Sequence, residues 1–298
     1  MPNSPKVGNF MKNYLLFFLC LFVSLSSFAK EVKLFKNFGV DNPMSYQFVR
    51  TIAQDDNGFM WFGSHEGLHR FDGYQFLSFH HNGDKVNSLS SDAISRIFID
   101  SKQQLWIGTT GGGLNLYREK SKDFFHITTE TQGIELSNDV INTLFEDSEG
   151  KLWIGTENGI NILSKQQGKW DVKHIIQELG NPNSLTHNTV HEIIETKDDK
   201  VWVATNGGGI SVFDLQGNFI QTVKIGDQGS SVYISKFVNS LHQDSLGNVW
   251  IGTAENGLIK YDTTSGQYIH YVYDENDVFT IASNTIKTIY QDSHNQLW

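Results

Sequence analysis

Asp147-Ser-Glu-Gly-Lys-Leu-Trp-Ile-Gly-Thr156 decides the fold, because the chain writes this stretch repeatedly. Anchored on its tryptophan, it recurs at Trp61, Trp106, Trp153, Trp202, Trp250 and Trp298, at intervals of 45, 47, 49, 48 and 48 residues. Of the 7 tryptophans, only Trp170 lies off this beat. A fixed period of roughly 40 to 50 residues marks a repeat architecture.

Counting back from each tryptophan defines the unit. Twelve residues before it stand Val49, Ile94, Ile141, Val190, Val238 and Ile286; nine before it stand Ile52, Ile97, Leu144, Ile193, Leu241 and Ile289. Six before it come Asp55, Asp100, Asp147, Asp244 and Asp292, with Thr196 as the exception. Three before it come Gly58, Gly150 and Gly247, replaced by Gln103, Asp199 and Asn295. The Asp-x-x-Gly spacing predicts a hairpin turn, since Asp bonds the backbone of its own turn and Gly accepts positive φ. A second strand runs through the tryptophan. A glycine-bearing turn follows, ending at Gly67 and Gly159 in a short form and at Gly113, Gly209 and Gly257 in a form one residue longer. A third strand ends at Phe71, Tyr117, Leu163, Phe213 or Tyr261, and a variable aromatic strand such as Phe76–Phe79 or Tyr268–Tyr271 closes the unit.

Four strands per period predict an all-β fold, a β-propeller of four-stranded antiparallel blades. About five and a half blades fit between residues 30 and 298. A helical solenoid would need a period near 3.6 residues that these stretches lack, and a β-solenoid uses shorter rungs. Lys33-Leu-Phe-Lys-Asn-Phe38 resembles the closing strands. It is expected to complete the last blade of a ring and seal an open edge. The sequence stops at Trp298, inside the second strand of the sixth unit, and reads as a fragment of a longer protein.

Composition agrees. Aromatics make up 13% of 298 residues, with 27 glycines and 4 prolines, a mix suited to short strands and tight turns. The net charge of −10 argues against a nucleic-acid partner or an anionic membrane surface. With Cys20 alone, neither a disulfide nor a Cys-based zinc site can form. Cys20 lies in the apolar run Tyr14 to Val23, preceded by Lys6 and Lys12 and followed by Ser27-Phe28-Ala29. That pattern predicts a signal peptide over residues 1–29 and an exported mature chain.

The repeat resembles the two-component regulator propeller repeat of bacterial signalling proteins. The residues that carry the likeness are Asn87-Ser-Leu-Ser90, Ile97-Phe-Ile-Asp100, Leu105-Trp-Ile-Gly-Thr109 and Gly112-Gly-Leu114. The theme returns in Asn183-Ser-Leu-Thr186 and Val201-Trp-Val-Ala-Thr205, and the likeness runs over residues 31 to 298. The fourth unit departs most, with Thr196, Asp199 and Ala204. The resemblance implies a periplasmic sensor propeller followed by a transmembrane helix and a cytoplasmic output module. That module would be a histidine kinase, often hybrid, or a GGDEF-type diguanylate cyclase. It also implies an oligosaccharide as a plausible ligand, and a homodimer is a further expectation. The rival functions are an exported propeller enzyme acting on polysaccharide and an interaction scaffold.

Each conspicuous motif has a structural reading beside a chemical one. The six periodic tryptophans are expected to pack blade on blade rather than stack on sugars, whereas Trp170 is the better surface candidate. The aspartates, one per blade, are too dispersed for calcium, which needs roughly six to eight converging oxygens. His187, His191 and Glu192 form a possible zinc trio but lack a helical arrangement. Gly111–Gly113 and Gly207–Gly209 precede strands, so they are hairpin glycines and not phosphate cradles. No nucleophile set, metal or cofactor is expected. Recognition is assigned to non-repeating loop residues at one mouth of the ring: Tyr46, His65, Thr110, Asn158, Asn206 and Glu255.

Overall fold

The computed structural model describes residues 47–223 and 236–298. The signal-peptide reading of residues 1–29, the closing strand at Lys33–Phe38 and the mouth candidate Tyr46 lie outside the described residues.

All regular structure described is β. Blade one holds β1 (Thr51–Gln54), β2 (Met60–Gly63), β3 (Leu68–Phe71) and β4 (Phe76–Phe79). Blade two holds β5 (Ile94–Ile99), β6 (Leu105–Thr109), β7 (Leu114–Arg118) and β8 (Asp123–Ile127). Blade three holds β9 (Ile141–Glu146), β10 (Leu152–Thr156), β11 (Gly159–Gln166) and β12 (Lys169–Ile175). Blade four holds β13 (Val190–Thr196), β14 (Lys200–Thr205), β15 (Gly209–Asp214) and β16 (Phe219–Thr222). Blade five holds β17 (Val238–Gln243), β18 (Asn248–Thr253), β19 (Leu258–Asp262) and β20 (Tyr268–Tyr271). Each blade is a four-stranded antiparallel sheet in simple sequential order. The first strands of successive blades touch one another, so they form the inner edge of the propeller. A sixth unit begins as a short hairpin, closed by the Gln291↔Leu297 bridge and by the Tyr290 and Trp298 backbones.

The periodic residues build turns and blade contacts, as the spacing predicts. In the first hairpin of each blade, Gly58, Gly150 and Gly247 adopt positive φ, and Gln103, Asp199 and Asn295 adopt it in their place. The aspartate does more than cap that turn. Its Oδ1 accepts backbone N–H groups, as from Glu149 and Lys151 to Asp147, while its Oδ2 accepts the indole N–H six residues on. The indole bond measures 2.8 Å at Asp55, 2.9 Å at Asp100, 2.8 Å at Asp147, 2.9 Å at Asp244 and 3.0 Å at Asp292. Blade four breaks the pattern: Thr196 replaces Asp, and the buried Trp202 Nε1 has no partner among the described residues.

The indoles of blades one to four are each pressed against the following blade. Trp61 packs with Ile94, Ile97 and Leu105, and Trp106 with Ile141, Leu144 and Leu152. Trp153 packs with Val190, Ile193 and Val201, and Trp202 with Val238, Leu241 and Val249. Burying an indole of about 200 Å² contributes on the order of 5 kcal/mol per contact. Trp250 is half-buried and Trp298 exposed. The glycine two residues after the tryptophan admits the next blade. A Cβ on Gly155 would lie 2.6 Å from Thr143 Cγ2 and 2.7 Å from Val190 Cγ1.

Candidate functional site

Antiparallel order places the turn between second and third strands, and the connection into the next blade, at one end of every sheet. Five of the mouth candidates sit on those turns. Their shared frame is the last residue of the Trp-Ile-Gly-Thr motif. The hydroxyls of Thr109, Thr156, Thr205 and Thr253 donate to the carbonyl of the turn glycine at 2.8–2.9 Å. They also accept an N–H from inside the turn, as from Gly112 to Thr109 and from Asn158 to Thr156. Ser64 does the same in blade one. The backbone of the mouth is therefore held rigid while its side chains vary.

His65, Thr110, Asn158 and Glu255 are exposed, and Asn206 is half-buried. Thr110 and Asn206 are tied through their backbones to the connections, donating to Ala93 at 2.8 Å and Thr189 at 2.9 Å. The Asn158 amide donates to the Ser137 carbonyl at 3.3 Å. The five share one end of the propeller, but none hydrogen-bonds another.

The residues that do converge were hidden in the inner strands. Between the apolar positions twelve and nine before tryptophan lie two polar residues in every repeat: Arg50-Thr51, Ser95-Arg96, Asn142-Thr143, His191-Glu192, Asn239-Ser240 and Lys287-Thr288. Register shifts after Ile94, Val190 and Val238 on the inner strand, and at Gly155/Thr156 opposite β9, make the first of the pair a bulge in blades two to five. A bulge bends the strand and re-aims its side chains. Arg96 of blade two, Thr143 of blade three and Glu192 of blade four then meet. Arg96 Nη2 lies 3.5 Å from both Thr143 Oγ1 and Glu192 Oε2, and Thr143 Oγ1 donates to Glu192 Oε1 at 3.2 Å. Burial pushes the Glu192 carboxyl above its ordinary range, while the Arg96 guanidinium and the Thr143 hydroxyl oppose that rise. Arg96 Nε, Ser95 Oγ and Ser240 Oγ are buried with no partner among the described residues.

One tier toward the mouth, Glu157 joins blades three and four. Its carboxylate accepts from Asn142 Nδ2 at 2.9 Å and from Thr189 Oγ1 at 3.0 Å. Glu157 sits beside Asn158 on its turn but escaped sequence reasoning. The detectable signal was the run of paired polar positions in an otherwise apolar strand. The zinc trio does not assemble: His187 accepts the Thr189 N–H, His191 lies 3.0 Å from the Val238 carbonyl, and Glu192 pairs with Arg96. Trp170 is half-buried, its ring edge-on to Trp106 with centroids 5.8 Å apart.

A family model described as two component regulator propeller matches residues 43–66, 88–111, 135–158, 184–207 and 233–255, one segment per described blade. The chain carries the two-component regulator propeller repeat in five copies. Histidine kinase P4 of Formosa agariphila is 28% identical over 235 residues, covering 78% of this chain and 13% of that protein. Among solved structures, the extracellular domain assigned to a hybrid two component system of B. thetaiotaomicron matches with a TM-score of 0.65 at 21% identity. It covers 88% of this chain and 40% of the other. The extracellular domain assigned to a one component system of the same organism matches with a TM-score of 0.57 at 25% identity, over 76% of this chain and 31% of the other. The chain thus spans well under half the length of each of these relatives. The matched segments end inside the mouth turns, so the family repeat includes the anchoring hydroxyl residue but stops before the glycine it bonds and the outer strands.

Proposed function

We propose that this propeller is the exported sensor domain of a membrane-spanning bacterial signalling protein. Its mouth reads a periplasmic ligand, with an oligosaccharide the leading class, and biases an output module across the membrane. That module is a histidine kinase or a diguanylate cyclase. The observation that carries the reading is the contrast at one end of the blades. A hydroxyl-anchored frame repeats five times, yet it presents His65, Thr110, Asn158, Asn206 and Glu255, backed by Glu157 and the Arg96–Glu192 pair. A fixed frame with variable side chains is how a repeat scaffold supports recognition. The relatives support the setting, since they are extracellular domains of signalling systems and a histidine kinase. The ligand acts by binding one arrangement of the receptor better than another.

Two measurements test this. Alkaline phosphatase fused after residue 298 should be active in a Gram-negative host, and an inactive fusion rejects export. In cells carrying the full-length protein, alanine at Tyr46, His65, Thr110, Asn158, Asn206 or Glu255 should blunt the response to the inducing saccharide. An unchanged response at all six rejects the mouth as the sensor surface.

A further inference from the structure

Blade three departs from its neighbours at its outer edge. β11 and β12 run for 8 and 7 residues, against 5 and 5 for β7 and β8 and 6 and 4 for β15 and β16. In blade two the outer ladder stops at Arg118↔Asp123, the rung that corresponds to Ser164↔Asp171. Blade three adds Lys165↔Trp170 and Gln166↔Lys169 beyond it. Gln167 at φ 49° and Gly168 at φ 83° close this extension, the double positive φ of a tight hairpin. The added rungs bear Trp170, the tryptophan off the beat, together with Lys165 and Lys169.

The extension overhangs a groove of about 710 Å³ between blades two and three, at the end opposite the mouth. Its walls are the first turns of the two blades, and Trp106, Trp170, Leu152 and Leu163 form its apolar part. Lys165 Nζ sits 4.9 Å from the centroid of the Trp170 ring. Lys102 reaches across from blade two, its Nζ 3.9 Å from where a Cβ on Gly150 would stand. The carboxylates of the groove are already engaged: Asp100 by its turn and Trp106, Glu146 by Ser101, and Glu149 by Lys151. Among the described residues, neither Lys102 nor Lys165 has a carboxylate partner. Two cations without a carboxylate partner, one of them over the indole, stand out in a chain whose net charge is −10.

We propose that this groove is a second binding site, separate from the mouth, for an acidic sugar residue bearing a carboxylate or sulfate ester. The anionic group takes Lys102 and draws Lys165 off the Trp170 ring, and the C–H face of the pyranose packs on the indole so freed. Gln104 and Ser164 line the same groove and offer partners for hydroxyls. A neutral sugar would leave both ammonium groups unpaired, and a bare inorganic anion would make no use of the indole. The site stands whether or not the mouth binds a ligand.

Calorimetry on the detergent-solubilised full-length protein tests it, with trigalacturonate, its methyl ester, galactose 6-sulfate and sodium sulfate as probes. Trigalacturonate or galactose 6-sulfate should bind, and the uncharged ester should bind about tenfold more weakly, since two exposed charge pairs together supply roughly one factor of ten. The double variant Lys102→Ala/Lys165→Ala, altered only at exposed side chains, should lose the same factor. Lys120→Ala, at an exposed cation outside both the groove and the mouth, should leave binding unchanged. Equal binding of acid and ester, sulfate binding as tightly as the sugars, no binding of either acidic sugar, or an unaffected double variant each overturns the proposal. Binding lost in Glu157→Gln at the mouth but kept in Lys102→Ala/Lys165→Ala overturns it too and returns the ligand to the mouth.

Discussion

The indole N–H of Trp153 and the carboxylate of Asp147 show how one side chain serves two ends. The carboxylate closes a turn and accepts a buried donor. Asp147→Ala should therefore cost about 2–3 kcal/mol in urea unfolding, because it orphans that donor and two turn amides. Blade four offers the reverse experiment. Trp202 Nε1 lacks an acceptor where Thr196 stands, so Thr196→Asp should stabilise the protein by about 1 kcal/mol. No gain would mean that repulsion from Asp198, now bonded to Thr196, offsets the new bond. His69 provides a pH test. It is buried between Ser78 and Gln47, and burial, with the neighbouring His80, pushes it down to about 4. The unfolded chain takes up this proton near pH 6.5, whereas the folded chain resists until about pH 4. Stability should hold above pH 7, fall by about 2–3 kcal/mol between pH 6.5 and 4, and flatten below. His69→Asn, which copies the residue that blades two and three use at this position, should remove most of that slope in pH-dependent unfolding curves. An unchanged slope would clear His69.

At the scale of elements, blade packing depends on a glycine in the second strand. Gly155→Ala would drive a methyl into Thr143 and Val190, so it should destabilise by about 1–3 kcal/mol, read by thermal unfolding. Blade four already carries Ala204 at this position, fully buried, and shows that a blade can be built around that methyl when its partners differ. These elements were legible in the sequence because each repeat corroborates the others. Tryptophan fixes the second strand, Asp-x-x-Gly the first turn, and even Gln103 adopts the glycine conformation that its position demands. The candidate site was legible only in part. Exposed turn residues announce themselves by failing to repeat. Arg96 and Glu192 also fail to repeat in identity, but they and Thr143 lie in strands, where a polar residue passes for a solvent-facing one. Only the bulge and the inner position of those strands turn them toward each other. Glu157 was missed because its partners, Asn142 and Thr189, belong to an inner strand and an incoming connection.

At the scale of the whole molecule, a propeller behaves as a chain of blades in which each contacts its neighbours, and stability is nearly a sum of blade and interface terms. The Arg96–Glu192 pair breaks that rule, because it reaches from blade two to blade four across Thr143 of blade three. It is thus a coupling beyond nearest neighbours, and it resists changes in the angle through which three blades turn. A double-mutant cycle measures it. Arg96→Ala leaves a largely buried carboxylate without its cation and should cost about 1–2 kcal/mol, less than a fully buried pair because Arg96 remains partly exposed. Glu192→Gln removes the charge that burial disfavours, keeps an acceptor for Thr143, and should cost less. The double variant should be no worse than Arg96→Ala alone, since the stranded charge is gone. The pH dependence supplies the sign. Burial raises the Glu192 carboxyl, so the folded chain holds that proton more tightly than the unfolded chain. Its ionisation costs stability as pH rises through the folded-state value, opposite to the His69 slope. Removing Arg96 takes away the neighbouring cation that restrains the rise, so this cost should grow and extend to higher pH in Arg96→Ala. If the single costs add and the pH curves of Arg96→Ala and the parent coincide, the three blades are not coupled through this pair, and the inner ring acts as separate nearest-neighbour contacts.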